Sequence, residues 1–252
     1  MIPKIHVRQI TDRLTASIAS GMGIRQIGGM KAAEQIFNSD LPVILVGASP
    51  VELGSFFLSL PEAWPVIAAD GGVDKLAGCG RRPELVIGDM DSVTALPADI
   101  PHLLLTGQDD TDFEKCLARI RAPLIVGFGF LDGRLDHSLA VMHALAAQRN
   151  SSAVMLCGTH DVLACLRGDI TFAAAPGARV SIWPLGRQAF RRSDGLRWPL
   201  NGLEKQLGGV IGTSNEASAE QVEIEAAAGD GYAVIMPVSC ADLLLAAMLP
   251  SG

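Results

Sequence analysis

The chain has 252 residues, 49% of them hydrophobic and 19% charged, which excludes a mainly disordered protein and fits one large or two modest globular domains. A net charge of −7 and a pI near 5.2 argue against a nucleic-acid surface, which wants clustered Lys and Arg, yet allow a small phosphorylated ligand met through a divalent cation. No apolar run approaches the roughly 20 residues of a membrane span, no signal-peptide core opens the chain, and five cysteines without a CxxC pair fit free thiols in a reducing cytosol. The expectation is a cytoplasmic protein with neither a membrane nor a nucleic-acid partner.

Residues 1–40 have weak periodicity; helices are predicted over Ile5–Ile18 and Met30–Phe37, with no role attached to this extension. From Pro42 the pattern sharpens. PVILVGAS reads as a buried strand ending in small residues, and VELGSFFLSL has helical spacing at Val51, Phe56, Phe57 and Leu60. WPVIAADGG is the next strand, followed by a short helix, VDKLAGCG, stopped at Gly80. ELVIGD and HLLLTG are strands, TDFEKCLARI a helix, PLIVGFGF a strand and HSLAVMHALAAQ a helix. Strands alternating with helices imply a parallel α/β sheet.

After about residue 150 the character changes. AVMLCG, VLACLRG, DITFAAAPG, RVSIWPLG and VEIEAAAGDGYAVIMPV read as strands separated by Gly, Pro and Asp turns, with AAAGDGY as a hairpin turn. Helical periodicity returns only in the last dozen residues. The expected layout is α/β followed by all-β, with a boundary near 160–170.

The unusual polar clusters all fall at carboxyl ends of strands or just beyond, where open α/β sheets bind ligands. They are Ala69-Asp70-Gly71-Gly72, Gly88-Asp89-Met90-Asp91-Ser92, Asp109-Asp110-Thr111-Asp112 and Asp132-Gly133-Arg134-Leu135-Asp136-His137. An Asp-Gly pair alone is ordinary turn chemistry. Asp89 and Asp91 are more demanding: two like charges end an apolar strand with no Lys or Arg beside them, so positive charge must come from elsewhere. A hard divalent cation held by one or two carboxylates plus substrate phosphates would supply it. Thr111 and Glu114 form a capping box, and Phe113, Cys116, Leu117 and Ile120 make a buried helix face. That accounts for Thr111 and Glu114 but not for Asp112, nor for Lys115, one turn inside and able to reach a phosphate. Arg134 suits bidentate phosphate contact. No GxxxxGK[ST] loop, full dinucleotide fingerprint or GxSxG elbow is present. Metal-assisted handling of a polyphosphate is the chemistry that remains.

In that order AADGGVDKL, PELVIGDMDSV, DDTDFEKCL and DGRLDH, with GARVSIWPLG, GLRWPL and GTSNEA downstream, resemble the thiamin pyrophosphokinase family over roughly residues 42–238. Asp74 departs from the family pattern, which often has Asn there. The resemblance implies a mostly parallel, Rossmann-like catalytic domain over 41–165 and a C-terminal β-sandwich over 166–252; the extension over 1–40 lies outside it. It implies transfer of pyrophosphate from ATP to the thiamin hydroxyl, giving thiamin diphosphate and AMP. Asp70, Asp89, Asp91 and Asp112 would be catalytic and hold Mg²⁺. Gly71, Gly72, Thr111, Lys115, Arg134, Asp136 and His137 would meet ATP. Trp198, Ser214 and Asn215 match thiamin-binding positions: an aromatic face suits a cationic thiazolium or a flat pyrimidine, and the two polar side chains suit the aminopyrimidine edge. A homodimer with active sites shared between chains is also implied. Two other readings remain open on the residues alone: a DxD metal-dependent glycosyltransferase, which explains GDMDS but not TDFEK or GRLDH, and a non-catalytic module sensing nucleotide or thiamin diphosphate.

Overall fold

A computed structural model describes residues 37–50, 52–107, 109–148 and 152–249. The helix expected over Ile5–Ile18 lies outside them, as does that over Met30–Phe37 except for Phe37. In chain order the first half comprises β1 (Phe37–Asn38), β2 (Val43–Val46), α1 (Ser55–Ser59), β3 (Val66–Ala69), α2 (Gly72–Leu76), β4 (Leu85–Gly88), β5 (His102–Leu104), α3 (Asp112–Leu117), β6 (Ile120–Arg121), β7 (Leu124–Phe128) and α4 (Leu135–Ala147). The second half comprises β8 (Ala153–Cys157), β9 (Asp161–Leu166), β10 (Ile170–Ala173), β11 (Arg179–Pro184), β12 (Arg187–Asp194), β13 (Glu204–Gln206), β14 (Gly212–Glu216), β15 (Gln221–Gly229), β16 (Tyr232–Pro237) and α5 (Ala241–Met248).

One mixed ten-stranded sheet, ordered β14-β11-β16-β9-β8-β7-β2-β3-β4-β5, runs through both halves. From β8 to β5 neighbouring strands are parallel; from β8 to β14 they are antiparallel. The central strands are apolar throughout because both faces are covered. Val43 and Leu45 join Phe113, Cys116, Leu117, Val141, Ala144 and Leu145 of α3 and α4 on one face. Ile44 and Val46 join Phe57, Val73 and Leu76 of α1 and α2 on the other. A separate antiparallel sheet, β10-β15-β12-β13, packs on the antiparallel end of the large one. Phe172, Phe190, Val222 and Ile224 there share a core with Val180, Ile182, Tyr232 and Met236. The chain is thus an α/β half followed by a β-rich half, and the expected boundary at 165/166 falls inside β9, which belongs to the large sheet.

Three local expectations need correction. AAAGDGY is not a hairpin: β15 pairs with β10 and β12, whereas β16 pairs with β9 and β11. Asp230 and Gly231 carry the chain from one layer to the other, held by side chains: Arg187 N–H donates to Asp230 Oδ2 at 2.8 Å, and Gly231 N–H donates to Gln188 Oε1 at 2.9 Å. Ile120 is not helical. The helix ends at Leu117, and Ile120 pairs with Phe37 in the β1–β6 ladder. The helix expected from Val51 is shorter, beginning at Ser55 after Gly54.

Candidate active site

The parallel strands switch direction of succession between β2 and β7: β3, β4 and β5 follow on one side, β8 on the other. At such a switch point the connections leave on opposite faces and a crevice opens beyond the carboxyl ends of the strands. A cleft of about 390 Å³ lies there, lined by Gly47, Ala48 and Ser49 after β2, Gly129 and Phe130 after β7, and Asp70, Asp89, Asp112 and Lys115. The glycines permit the closure: a Cβ on Gly129 would lie 2.4 Å from the Gly47 carbonyl oxygen, and φ of Gly129 is +76°. Phe130 stacks at a tilt on Phe113, ring centroids 4.7 Å apart, tying the start of α3 to the strand end.

Three carboxylates from three separate segments meet here. Asp70 follows β3, Asp89 follows β4 and Asp112 opens α3; one oxygen from each lies within 4.8 Å of the others. Asp70 is 3% exposed, sits at φ 45°, and its Oδ1 has no hydrogen-bond partner among the described residues. A buried carboxylate oxygen in a left-handed residue is costly in two ways, and such costs persist at functional sites. Met90, between Asp89 and Asp91, is a second non-glycine residue with a positive φ, 65°. Gly88 lets this turn approach, since a Cβ there would lie 2.8 Å from the Asp70 Cβ. An all-oxygen, anionic donor set with one oxygen unpartnered suits a hard divalent cation.

The positive charge missing around GDMDS comes from α3. Lys115 is 5% exposed, with Nζ 3.0 Å from Asp112 Oδ1 and 3.6 Å from Asp89 Oδ2. Burial works against its ammonium, but hydrogen bonding and charge from Asp112, then Asp89, outweigh it and hold the lysine above its ordinary pKa. Burial pushes the Asp112 carboxyl up, aided by Asp70 and Asp89 and opposed by Lys115. Burial also works against the Asp89 charge, but the Asp91 N–H and Lys115 outweigh it, so Asp89 sits below the usual carboxylate range.

Asp91 stands apart from the trio: it is exposed, its Oδ1 accepts from Ser92 Oγ at 2.9 Å, and its N–H points to Asp89 Oδ1 at 3.4 Å. Thr111 lines the cleft and caps α3, its Oγ1 accepting from Glu114 N at 3.3 Å while Glu114 Oε2 accepts from Thr111 N at 2.9 Å. Thr111→Ala is expected to lower stability by about 1 kcal/mol, measured by denaturant unfolding; an activity loss that persists once the variant is fully folded would place Thr111 in the chemistry as well. Gly71 and Gly72 do not line the cleft. They allow close packing, a Cβ on Gly72 falling 2.0 Å from the Val46 carbonyl oxygen. Asp74, on α2, anchors the loop after GDMDS: its Oδ2 accepts from Thr94 N at 2.8 Å, which holds its carboxyl below the usual range.

At the start of α4, His137 lines the cleft, while Arg134 and Asp136 are exposed and pair with each other through two hydrogen bonds of 3.1 and 2.6 Å. Trp198, Ser214 and Asn215 belong to the β-rich half, and none lines this cleft. Trp198 is 53% exposed, with the Arg197 guanidinium 4.8 Å from its ring centroid. Asn215 is buried and already engaged: Oδ1 accepts from Trp198 N at 3.1 Å and Glu216 N at 2.8 Å, and Nδ2 donates to Trp198 O at 2.7 Å. Its visible work is to fix the backbone that presents Trp198. Ser214 is exposed at φ 60°, its N–H donating to Ser181 Oγ at 3.0 Å. Sequence reasoning did not single out Gly47, Ser49, Gly129 and Phe130 as lining residues, although the small-residue ends of PVILVGAS and PLIVGFGF carry the signal.

Comparison with known proteins gives matches to both halves of the chain. Residues 58–156 match the family model of the thiamin pyrophosphokinase catalytic domain, and residues 170–229 that of the thiamin pyrophosphokinase vitamin B1 binding domain. Among curated proteins, thiamine pyrophosphokinase 1 of Arabidopsis thaliana is 29% identical over 167 residues, and thiamine pyrophosphokinase 1 of Oryza sativa subsp. japonica is 30% identical over 168; each match covers 57% of this chain and 62% of the relative. The chain therefore spans less than two thirds of the length of these plant relatives. In fold it is similar to the crystal structures of the thiamin pyrophosphokinases from Geobacillus thermodenitrificans (TM-score 0.61, 23% identity, covering 78% of this chain and 97% of that one) and Bacillus subtilis (TM-score 0.63, 21% identity, covering 78% and 98%). With the two family models together matching more than half of its length, the chain belongs to the thiamin pyrophosphokinase family.

Proposed function

We propose that this protein is an ATP:thiamin diphosphotransferase. The observation that carries the reading is the carboxylate trio at the switch-point cleft, with one buried oxygen unpartnered, in a chain of this family. We read the parallel strands as a Rossmann-like unit, with 41–165 contributing the nucleotide end and 166–252, a β-sandwich by our reading, the thiamin end. Asp70, Asp89 and Asp112 would hold Mg²⁺, with Asp91 beside them as the outlying candidate. When bound, the ion would neutralise oxygen charge on the polyphosphate and on the departing AMP. The chain's own contribution is position and charge. The small residues after β2 and β7 admit a phosphate chain to the backbone, Lys115 and His137 offer donors that line the cleft, and Arg134, which pairs with Asp136 outside the lining, would have to turn inward to meet phosphate. The thiamin hydroxyl oxygen bonds to the β-phosphorus, the bond from that phosphorus to the α–β bridging oxygen breaks, and AMP leaves with the electron pair. The hydroxyl proton passes to one of the cleft carboxylates.

Incubation with Mg-ATP and thiamin should yield AMP and thiamin diphosphate in equal amounts; ADP in place of AMP, or no turnover, would refute the assignment. Neither rival reading is favoured by the matches, which are to thiamin pyrophosphokinases. The free thiols, three of them buried, suit a reducing cytosol.

Since Trp198, Ser214 and Asn215 do not line the cleft, the proposal includes a homodimer in which each β-rich half completes the partner's site. Refolding Asp70→Asn and Trp198→Ala chains together tests it. About half of the dimers would be mixed and each would carry one intact site, so activity should return to about a quarter of wild type. No recovery, with mixed dimers demonstrated, would reject the shared site.

A further inference from the structure

Lys115 belongs to the same helix as Asp112, one turn on, and its stem is buried beside the carboxylates. Its ammonium contacts two members of the trio, Asp112 at 3.0 Å and Asp89 at 3.6 Å, while Asp70 Oδ1 has no hydrogen-bond partner among the described residues. A divalent cation bridging the trio needs lone pairs on the same two carboxylates, at about 2 Å for Mg²⁺. It would also face the ammonium across a few ångströms of protein interior, where repulsion is poorly screened. Both cations cannot be held well in that space. Lys115 has an exit, because it lines the cleft and its flexible four-carbon stem can turn the ammonium outward towards anionic oxygens.

We propose that Lys115 is the built-in counter-ion of the carboxylate trio, displaced when a divalent cation enters and received by the substrate's phosphates. Metal entry and polyphosphate binding are thereby coupled: an isolated metal ion must evict the lysine unaided, whereas a polyphosphate gives the ammonium a new partner. The inference rests on the reading of the trio as the metal site. It assigns Lys115 a positioning role towards the ion, in addition to any contact with phosphate.

The test is Mn²⁺ binding to the full chain, followed by electron paramagnetic resonance of the free ion, without nucleotide or thiamin. Lys115→Met should bind Mn²⁺ on the order of tenfold more tightly than wild type, since a neighbouring positive charge is gone. Lys115→Arg, which keeps the charge, should bind as weakly as wild type. A phosphate-binding lysine with no part in the metal site would leave Mn²⁺ affinity unchanged in Lys115→Met, and that result, or weaker binding, would overturn the proposal. Should Lys115→Met not fold, wild-type crystals soaked with Mn²⁺ and inorganic tripolyphosphate decide. The expected result is an anomalous peak among Asp70, Asp89 and Asp112 with Nζ moved off Asp112. A peak with Nζ still in place, or no peak there, would overturn it. Neither measurement uses turnover. A chain that makes AMP but has lysine-insensitive Mn²⁺ affinity refutes the exchange alone; lysine-sensitive affinity without AMP formation refutes the assigned reaction alone.

Discussion

Asp70→Asn is expected to reduce turnover by on the order of 10²-fold or more at saturating Mg²⁺, while leaving thermal stability unchanged or raising it. Asparagine keeps the shape of the side chain and tolerates the left-handed backbone at φ 45°. What is lost is one anionic oxygen from the trio. In the native protein that carboxylate is buried with Oδ1 unpartnered, an arrangement that costs folding energy and contributes nothing to packing that Asn would not. A loss of turnover without a loss of stability separates a ligand-holding role from a structural one. Parallel assays of AMP formation and thermal unfolding would measure both. Near-normal turnover would remove Asp70 from the site. Asp91→Asn is the informative companion. The spacing of GDMDS puts Asp91 beside Asp89, but its carboxylate is exposed and takes Ser92 as partner. A loss as deep as that of Asp70→Asn would mean that Asp91 turns inward when substrate is present.

Gly129→Ala is expected to destabilise the fold by about 3 kcal/mol or more, a large part of the roughly 5–15 kcal/mol that holds a domain together. Two causes act together. The residue sits at φ +76°, which an L side chain adopts only under strain, and its Cβ would lie 2.4 Å from a backbone carbonyl oxygen at Gly47. The obstructing atom terminates a central strand and cannot rotate aside. Relief requires β2 and β7 to part at their carboxyl ends, where the cleft begins, so residual activity in any folded fraction should fall as well. Urea unfolding gives the stability change directly, and a loss below about 1 kcal/mol would contradict the packing argument.

The α/β half was legible in the sequence because its signals are local. VILV, VIAA, LVIG and LIVGF are strands covered on both faces, so they appear as short apolar runs, and each ends in small or acidic residues where the chain turns. The capping box at Thr111 and Glu114 is equally local and formed as read. In the β-rich half, β12 (RQAFRRSD) escaped notice because its inward residues are few and separated by arginines that pair across the surface with Asp169 and Glu225. AAAGDGY carried a hairpin's composition, but composition cannot state which layer the next strand will join. That depended on Gly229 pairing with Gln188 and Tyr232 with Leu166 and Pro184.

The same division holds at the candidate site. Sequence alone determined that four acidic or basic clusters stand at or just beyond the carboxyl ends of strands, since strand ends and turn residues can be read in order along the chain. Only the tertiary structure decided which of those groups meet. Asp70, Asp89 and Asp112 converge because β3 and β4 are adjacent and α3 packs back over them, whereas Asp91, two residues from Asp89, is turned away by the left-handed Met90. The ammonium that pairs with two of the trio lies on α3, in Lys115, and no spacing rule links position 115 to position 89. Distances across a fold follow from strand order and helix packing, and those are settled by burial of both sheet faces rather than by neighbours in sequence.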